Sequence, residues 1–385
     1  MKKDRMPGPI DLVMVKGVYD EAGGPETVLQ MIAANLDRVG FPPLLALLAR
    51  PGQPLPGVLA DLVTRLPTRT LPWRGLARSP FAAAALSGLL RERPRAILHT
   101  NDMRADLLAF LVTRVRRVPW VAHVHGWLRE THSGKHKLYE DIDRWLIRSA
   151  DLVLVGSNAM ADECRKAGAK RIEIVTNGVP AADPADHDEA AAALRAKIAP
   201  HGGLIVGMLG RLHPGKGQAL LIQALAALRA KGLGLTALLV GVGPAEADYR
   251  ALAASLGVAD HVHFAGLVPD ALPYLRAMDI ACVPSLKDSL PLTALEAMSV
   301  ARPVIASRAG DLPLAIEDGR TGLLIEVGSA EALARAIEAL AADAEMRARI
   351  GAAGHANLVA NYTPRAMLRQ LEGFCAELVD GRART

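Results

Sequence analysis

Residues 204–230 read LIVGMLGRLHPGKGQALLIQALAALRA, and this stretch decides the predicted fold. The apolar run at 204–208 predicts a buried strand, and Lys216 and Gly217 open a predicted helix that continues to Ala230. Between them lies a glycine-containing loop that begins with Gly210 and Arg211. A helix start presents free backbone N–H groups, and two cations can neutralise a diphosphate, so this unit predicts an anion site. A basic turn in front of a helix explains the same residues equally well.

The same order of elements recurs near the start of the chain. Residues 10–15 predict a strand, residues 17–24 a glycine-containing loop, and residues 25–39 an amphipathic helix. Strand-like and helix-like runs then alternate throughout, which is typical of parallel sheets with crossover helices. The 385 residues exceed the ~250–300 at which single cores stop growing. We therefore predict an α/β fold of two Rossmann-like, doubly wound domains that face a cleft.

The boundary between these domains is placed by a change of composition. Residues 180–201 are rich in Ala, Asp and Pro and carry no strand signal, so they predict a linker and an early helix. We assign residues 1–190 to the first domain and residues 191–362 to the second. Residues 363–385 predict a final helix that could pack back on the first domain.

Composition limits the cellular compartment in which we expect the protein and the kinds of site that we expect it to contain. Cys164, Cys282 and Cys375 are odd in number and widely separated, which predicts neither a disulfide framework nor a zinc site and fits a reducing cytoplasm. The basic start is followed by an apolar run that charged residues interrupt, so we do not expect a signal peptide. No apolar run approaches the ~18–20 residues that span a bilayer. We predict a cytoplasmic protein, either soluble or peripheral on a membrane surface.

The charge is unevenly divided along the chain. Residues 1–179 carry 26 Lys and Arg against 18 Asp and Glu, and the remainder carries 19 against 22. Arginine clusters at 91–95 and 114–117 either face an anionic membrane surface or anionic acceptor, or form a solvated basic face. No aromatic residues interleave with them as stacking platforms, so we expect no nucleic acid partner.

A second constellation follows the predicted strand at 280–283, where residues 284–298 read PSLKDSLPLTALEAM. Asp288 lies on the loop, and Glu296 lies eight residues later, about one turn into a predicted helix. Carboxylates accept paired hydrogen bonds from the vicinal hydroxyls of ribose or hexose. The backbone N–H groups of Ser289 and Leu290 could cap the same ligand. Considered one at a time, Asp288 could equally be a helix cap and Glu296 an ordinary surface residue.

The combination of Gly-Arg-Leu-x-x-x-Lys-Gly with a carboxylate-x7-Glu resembles the retaining glycosyltransferases known as glycosyl transferases group 1, which have the GT-B fold. The resemblance covers nearly the whole chain. The other matching segments lie at residues 23–26, 123–126, 177–179, 303–306 and 317–324. Each segment is weakly specific, but their order and spacing make the match specific.

The resemblance implies that the second domain binds a nucleotide-sugar donor. Arg211 and Lys216 would bind its diphosphate, Glu296 its ribose and Asp288 the hydroxyls of the transferred sugar. Backbone around Gly266, Leu267 and Val268 would recognise the base. The chain would use no cofactor and no essential metal ion, and no Asp-x-Asp metal motif lies beside this site.

The first domain would bind the acceptor, a saccharide or a lipid-linked saccharide. Gly23 and Gly24 would line the phosphate or acceptor side, and His125 would lie beside the reacting sugar. The implied reaction moves a hexosyl unit to an acceptor hydroxyl, in the synthesis of a cell-surface polysaccharide or glycolipid.

Two departures from the family pattern keep other functions open. Asp288 stands where the family usually has Glu, and residues 309–314 replace the usual Gly-Gly-x-x-Glu. The alternatives are a nucleotide-sugar epimerase, a sugar phosphorylase, or a protein that binds nucleotide-sugars without catalysis. The Gly-x-Gly at residues 241–243 lacks the third glycine of a dinucleotide site, so we do not expect NAD.

Overall fold

A computed structural model describes residues 8–19, 24–127, 135–176, 178–287 and 290–382. The chain divides into two compact units, Met1–Asn177 with Pro364–Thr385, and Gly178–Thr363. The chain therefore passes from the first unit to the second after residue 177, before the boundary that composition suggests at residue 190. Composition changes gradually there, whereas residues 178–190 make their contacts within the second unit. One example is the N–H of Val179, which donates to the carbonyl of Tyr362 at 2.8 Å.

The first unit contains a parallel sheet with helices on both faces. The described strands are β1 (Leu12–Gly17), β2 (Pro43–Ala49), β3 (Thr68–Pro72), β4 (Ile97–Thr100), β5 (Trp120–Val124), β6 (Leu152–Val155) and β7 (Ile172–Ile174). The described helices are α1 (Gly24–Asn35), α2 (Gly57–Arg65), α3 (Ser79–Leu89), α4 (Met103–Thr113), α5 (Lys135–Leu146) and α6 (Asn158–Ala167).

The strand order of this sheet is β3-β2-β1-β4-β5-β6-β7. Successive side chains of a strand point to opposite faces, so both faces of β1 are apolar because both are covered. Val13 and Val15 pack toward α3, α4, α5 and α6, whereas Leu12 and Met14 pack toward α1 and α2. The order reverses between β1 and β4, and ligands of doubly wound sheets bind beyond the carboxyl ends of the strands at such a reversal.

The second unit repeats this architecture. The described strands are β8 (Leu204–Leu209), β9 (Leu235–Val240), β10 (Val262–Gly266), β11 (Ile280–Val283), β12 (Val304–Ser307) and β13 (Leu323–Ile325). The described helices are α7 (Asp188–Ile198), α8 (Gln218–Ala230), α9 (Glu246–Ser255), α10 (Leu272–Ala277), α11 (Leu292–Ser299), α12 (Leu312–Ala315), α13 (Ala330–Ala342) and α14 (Ala344–Asn361). The parallel strands run in the order β10-β9-β8-β11-β12-β13, with the reversal between β8 and β11. The predicted class, two doubly wound α/β sheets, is confirmed.

The last helix, α15 (Pro364–Arg382), belongs to the first unit. Its apolar residues Leu368, Leu371 and Cys375 enter the core that α1 and α2 also cover. The carboxylate of Asp380 pairs with Arg95 at 3.0 Å. No helix of the described residues is long and apolar enough to cross a membrane.

Candidate active site

The basic loop of the second unit follows β8, at the reversal of the strand order. Helix α8 begins at Gln218, and a single 3-10 turn, Pro214–Lys216, precedes it. The helix that the sequence predicts to start at Lys216 therefore begins two residues later, and Lys216 lies in this short turn. Its first N–H groups are held locally, because the ring of His213 accepts a hydrogen bond from the N–H of Gly215 at 3.1 Å. The side-chain amide of Gln218 donates to the carbonyl of Arg211 at 2.9 Å and fixes the start of the loop.

The loops that follow β8 and β11 are in contact. The N–H of Leu286 donates to the carbonyl of Gly215 at 2.9 Å. Gly217 has φ +85°, and a Cβ built on it would overlap the carbonyl oxygen of Pro284. Only glycine fits there without strain. The structure thus brings together the two constellations that the sequence places about 70 residues apart, because β8 and β11 are neighbours in the sheet.

The predicted ligand groups differ in exposure. Arg211 is exposed, and its guanidinium has no hydrogen-bond or ion-pair partner among the described residues. Lys216 is half-buried. Glu296 lies on α11 and is half-buried, and burial raises the pKa of its carboxyl group. Leu290 is half-buried and directly precedes Pro291, which caps α11.

Three predicted residues, Gly23, Asp288 and Ser289, lie outside the described residues. Gly24 is described as the first residue of α1.

An open cavity of about 530 Å³ adjoins the basic loop. Its walls are formed by residues 209–211 after β8, residues 240–244 after β9, and Leu267, Val268 and Ala271 after β10. Gly266 lies beside this wall, and its carbonyl accepts a hydrogen bond from the N–H of Gly241 at 2.8 Å. Leu267 is 81% exposed although it is apolar. The cavity therefore offers backbone groups and an uncovered apolar surface, as a site for a planar organic ring requires.

The first unit has its own cavity, of about 350 Å³, beyond the carboxyl ends of β1, β4 and β5. His125 lies in its wall, two residues after His123. The two rings stack with centroids 4.3 Å apart, and the Nε2 atom of His125 lies 3.4 Å from Oδ1 of Asn101. This cavity is the ligand position expected from the reversal between β1 and β4.

The two histidines of this cavity and the buried His99 behind them are uncharged at neutral pH. Burial lowers the pKa of His99 to about 3 and that of His123 to about 4. The pKa of His125 is well below its usual value because of burial and the neighbouring His123. His125 can therefore donate or accept a hydrogen bond, but it does not supply a positive charge.

A buried charge cluster beside this cavity was not found by sequence reasoning. Lys16, at the end of β1 and only 2% exposed, lies 3.0 Å from Glu26 and 3.2 Å from Asp102. Asp102 also caps α4 and accepts a hydrogen bond from the N–H of Gly17 at 2.7 Å. Burial alone would raise the pKa of Asp102, but Lys16 and these N–H groups outweigh burial and lower it. The available signal was a lysine inside an apolar strand, whose burial requires a partner.

The described residues contain no group of three or more His, Cys, Asp or Glu side chains placed to hold a metal ion.

Comparison with known proteins agrees with the two-unit architecture. The family model of the glycosyl transferases group 1 matches residues 203–343, and that of glycosyltransferase family 4 matches residues 22–183. The chain is 31% identical over 323 residues to a D-inositol 3-phosphate glycosyltransferase of Nocardia farcinica, covering 77% of this chain and 70% of the relative. It is 27% identical over 397 residues to the enzyme of that name from Corynebacterium glutamicum, covering 94% of each chain.

Solved structures show the same fold. Anabaena Alr3699/HepE in complex with UDP superposes with a TM-score of 0.73 at 23% identity, covering 96% of this chain and 100% of the other. A glycosyltransferase from Rickettsia africae superposes with a TM-score of 0.72 at 20% identity, covering 96% and 99%. The chain belongs to the glycosyl transferases group 1 family and is a glycosyltransferase with the GT-B fold.

Proposed function

We propose that this glycosyltransferase is a retaining enzyme that moves a hexosyl unit from a nucleotide-diphosphate sugar to a hydroxyl group of a saccharide or lipid-linked acceptor. The observation that carries the proposal is the contact between the loops after β8 and β11 at the strand reversal of the second unit. This contact places a basic loop beside a carboxylate-bearing helix. A nucleotide-sugar has the matching chemistry, a diphosphate followed by hydroxyl-rich rings.

The basic loop stabilises the leaving group in this proposal. The planar fork of Arg211 binds two phosphate oxygens, and Lys216 adds a point charge. The negative charge on the departing diphosphate grows as the sugar–oxygen bond breaks, so fixed cations act most strongly in the transition state. We propose that these residues do this without an essential metal ion or cofactor.

The rest of the donor fits the neighbouring groups. The apolar wall with Val268 and Leu267 would cover the base, next to Gly266. Glu296 would accept hydrogen bonds from the ribose hydroxyls, and those donors would offset the burial of its carboxylate. The residues assigned to the transferred sugar are Asp288, Ser289 and Leu290.

The acceptor would be bound by the first unit, in the cavity that contains His125, with Gly23 and Gly24 beside it. Asn101, His125 and Tyr139 line the described part of this cavity and offer groups that suit hydroxyls. We propose a front-face displacement, because the motifs suggest no protein nucleophile. The acceptor oxygen attacks the anomeric carbon as the diphosphate leaves, and the proton of the acceptor passes to a leaving-phosphate oxygen.

Nucleotide binding tests the donor site directly. Thermal unfolding would be followed with UDP, GDP and ADP, and then with their sugars, beginning with UDP-glucose because structures of HepE contain it. We expect one nucleotide to raise the unfolding temperature with concentration. Arg211→Ala should lower kcat/KM by ~10²–10³-fold. Arg335→Ala is the matched control, because Arg335 is exposed on α13 and pairs only within its helix. Equal activity of both variants would refute the site.

We also propose that the protein is cytoplasmic and binds the inner face of an anionic membrane peripherally. Among the arginine clusters, Arg93 and Arg95 pair with acidic side chains. Near Arg114, however, Val115 is 75% exposed and Trp145 is 52% exposed. Cations beside exposed apolar and indole groups suit an anionic lipid interface. Co-sedimentation with vesicles containing phosphatidylglycerol, but not with pure phosphatidylcholine vesicles, is expected; equal recovery with both would refute this proposal.

A further inference from the structure

Two buried carboxyl groups meet beneath the cavity of the first unit. Asp106 on α4 is 3% exposed and Asp143 on α5 is 8% exposed, and both line the cavity. Helices α4 and α5 pack against each other, and this packing brings the two carboxyl groups together as hydrogen-bonding neighbours. Two carboxylates in contact in a buried site cannot both be ionised, because neither water nor a cation compensates both charges. The pair must hold a proton.

The hydrogen bonds around the pair leave one buried carboxylate oxygen without a donor. Asp143 accepts a hydrogen bond from the indole Nε1–H of Trp127 on Oδ2, at 2.9 Å. Its Oδ1 is buried and has no donor among the described residues. Asp106 already accepts a hydrogen bond from the hydroxyl of Thr100. A proton on Asp106 that is shared with Asp143 would supply a further donor to this carboxylate. Burial and the charge of Asp143 raise the pKa of Asp106 well above its usual value, which agrees with this assignment.

The pair is connected to the residues beside His125. Trp127 follows His125 by two residues, and its indole forms part of the cavity wall. The guanidinium of Arg144 lies 4.2 Å from the centre of this ring and pairs with Glu163 on α6 at 2.8 Å. One edge of the indole is thus fixed by Asp143 and one face by Arg144. These two contacts together favour one orientation of the indole.

We propose that Asp106 and Asp143 are positioning residues that share one proton and thereby hold the indole of Trp127 as a fixed wall of the cavity. The link from this wall to the acceptor depends on the proposed function, whereas the shared proton does not. In this proposal neither carboxyl group contacts the reacting atoms.

The shared proton makes the pair sensitive to rising pH. When Asp106 ionises, two adjacent negative charges repel each other. The titratable and charged groups that surround the pair are Asp102 with its partner Lys16, Arg104 on α4, Tyr139, Glu140 and Arg144 on α5, Glu163 and Cys164 on α6, Tyr19, His123 and His125. Lys16 and Arg144 already pair with carboxylates, and the histidines are neutral. The guanidinium of Arg104 donates to the carbonyl of Val18 at 3.0 Å and lies 4.2 Å from the centre of the Tyr19 ring, so each cation of this described set already has a partner.

The sign of the stability effect follows from linkage. The pKa of Asp106 is higher in the folded state than in the unfolded chain, where it is near 3.8. The stabilisation that protonated Asp106 contributes to the folded state is therefore complete below that value. It is lost as pH rises toward the pKa of Asp106 in the folded protein. Over this range the unfolding equilibrium constant of the wild type should rise by up to about tenfold per pH unit relative to Asp106→Asn, whose amide donates without titrating.

Infrared spectroscopy and denaturant unfolding test the proposal without any substrate. We expect the wild type at pH 7 to show the carbonyl band of a protonated carboxylic acid that shifts in ²H₂O, and Asp106→Asn to lack it. Asp106→Asn should also remove the pH slope, whereas Asp106→Ala should shift the indole N–H resonance of Trp127, assigned with Trp127→Phe. The matched control is Asp162→Asn, an exposed acid on α6 that should keep both the band and the slope.

Two results would overturn the proposal. One is a wild-type spectrum without a protonated carboxyl band at pH 7, which requires no variant to fold. The other is an Asp106→Asn variant that retains the wild-type pH slope. Failure of nucleotide binding at the second unit would refute the proposed function but would leave both measurements unchanged.

Discussion

Replacement of Gly217 by Ala is the sharpest test of how the two loops of the second unit form one site. Gly217 adopts φ +85°, and a Cβ on it would lie 3.0 Å from the carbonyl carbon of Pro284 and closer still to the carbonyl oxygen. Ordinary contacts are 3.4–4 Å. The neighbour is backbone and cannot rotate away, so the loops after β8 and β11 must separate by roughly 1 Å.

The expected cost follows from two contributions. A left-handed backbone conformation costs an alanine about 1–2 kcal/mol. A separation of about 1 Å also breaks the hydrogen bond from Leu286 to Gly215, which is 2.9 Å long and contributes about 1 kcal/mol. We expect Gly217→Ala to lower the free energy of unfolding by about 2–3 kcal/mol. Misplacing the groups proposed to bind phosphate by about 1 Å should also lower kcat/KM by ~10²-fold.

Gly232→Ala separates strain from loop displacement. Gly232 lies two residues after α8 with φ +88°, and a Cβ on it would meet nothing within 4 Å. This variant should lose about 1–2 kcal/mol of stability through backbone strain alone and keep its nucleotide affinity. The assays are urea unfolding and calorimetric titration with the nucleotide that binds the wild type. Equal nucleotide affinity in both variants would show that contact between the loops does not form the donor site.

Other substitutions test the remaining assignments. Lys16→Met should lower the free energy of unfolding by about 3–5 kcal/mol, because it removes the cation that pairs with the buried carboxylates of Glu26 and Asp102. A loss below about 1 kcal/mol by urea unfolding would contradict the buried cluster. The pKa of Asp102 is lowered, so its contribution to the free energy of unfolding should be present above about pH 4 and lost below it. Asp102→Asn should therefore reduce the change of the unfolding temperature with pH across that range. Asp288→Glu should reorder the kcat/KM values for a panel of nucleotide-sugars, and an unchanged order would remove Asp288 from sugar recognition.

Much of the proposed donor site could be located from sequence because its parts are local. The basic loop with Arg211 and Lys216 lies directly between β8 and α8. Glu296 lies on α11, the helix that follows β11. Both positions follow from apolar periodicity and glycine placement. Asp288 and Ser289 remain predictions from the family pattern.

The first unit was harder to predict because its interactions join residues that are far apart in the chain. Lys16 and Asp102 are 86 residues apart, and nothing near either residue in sequence indicates the other. The same is true of Asp106 and Asp143, which two different helices bring together. Sequence reasoning identified the neighbouring His125 only through the resemblance, since its environment depends on this packing.

The sequence alone therefore determined the alternation of strands and helices, and with it two parallel sheets that carry a basic loop and a carboxylate-bearing helix. Tertiary structure decided that β8 lies beside β11 and β1 beside β4, so that loops distant in sequence meet at each strand reversal. It also decided that α15 returns to the first unit. The physical reason is that hydrophobic periodicity is set by each residue's near neighbours, whereas strand order and buried charge pairing depend on how the whole chain packs.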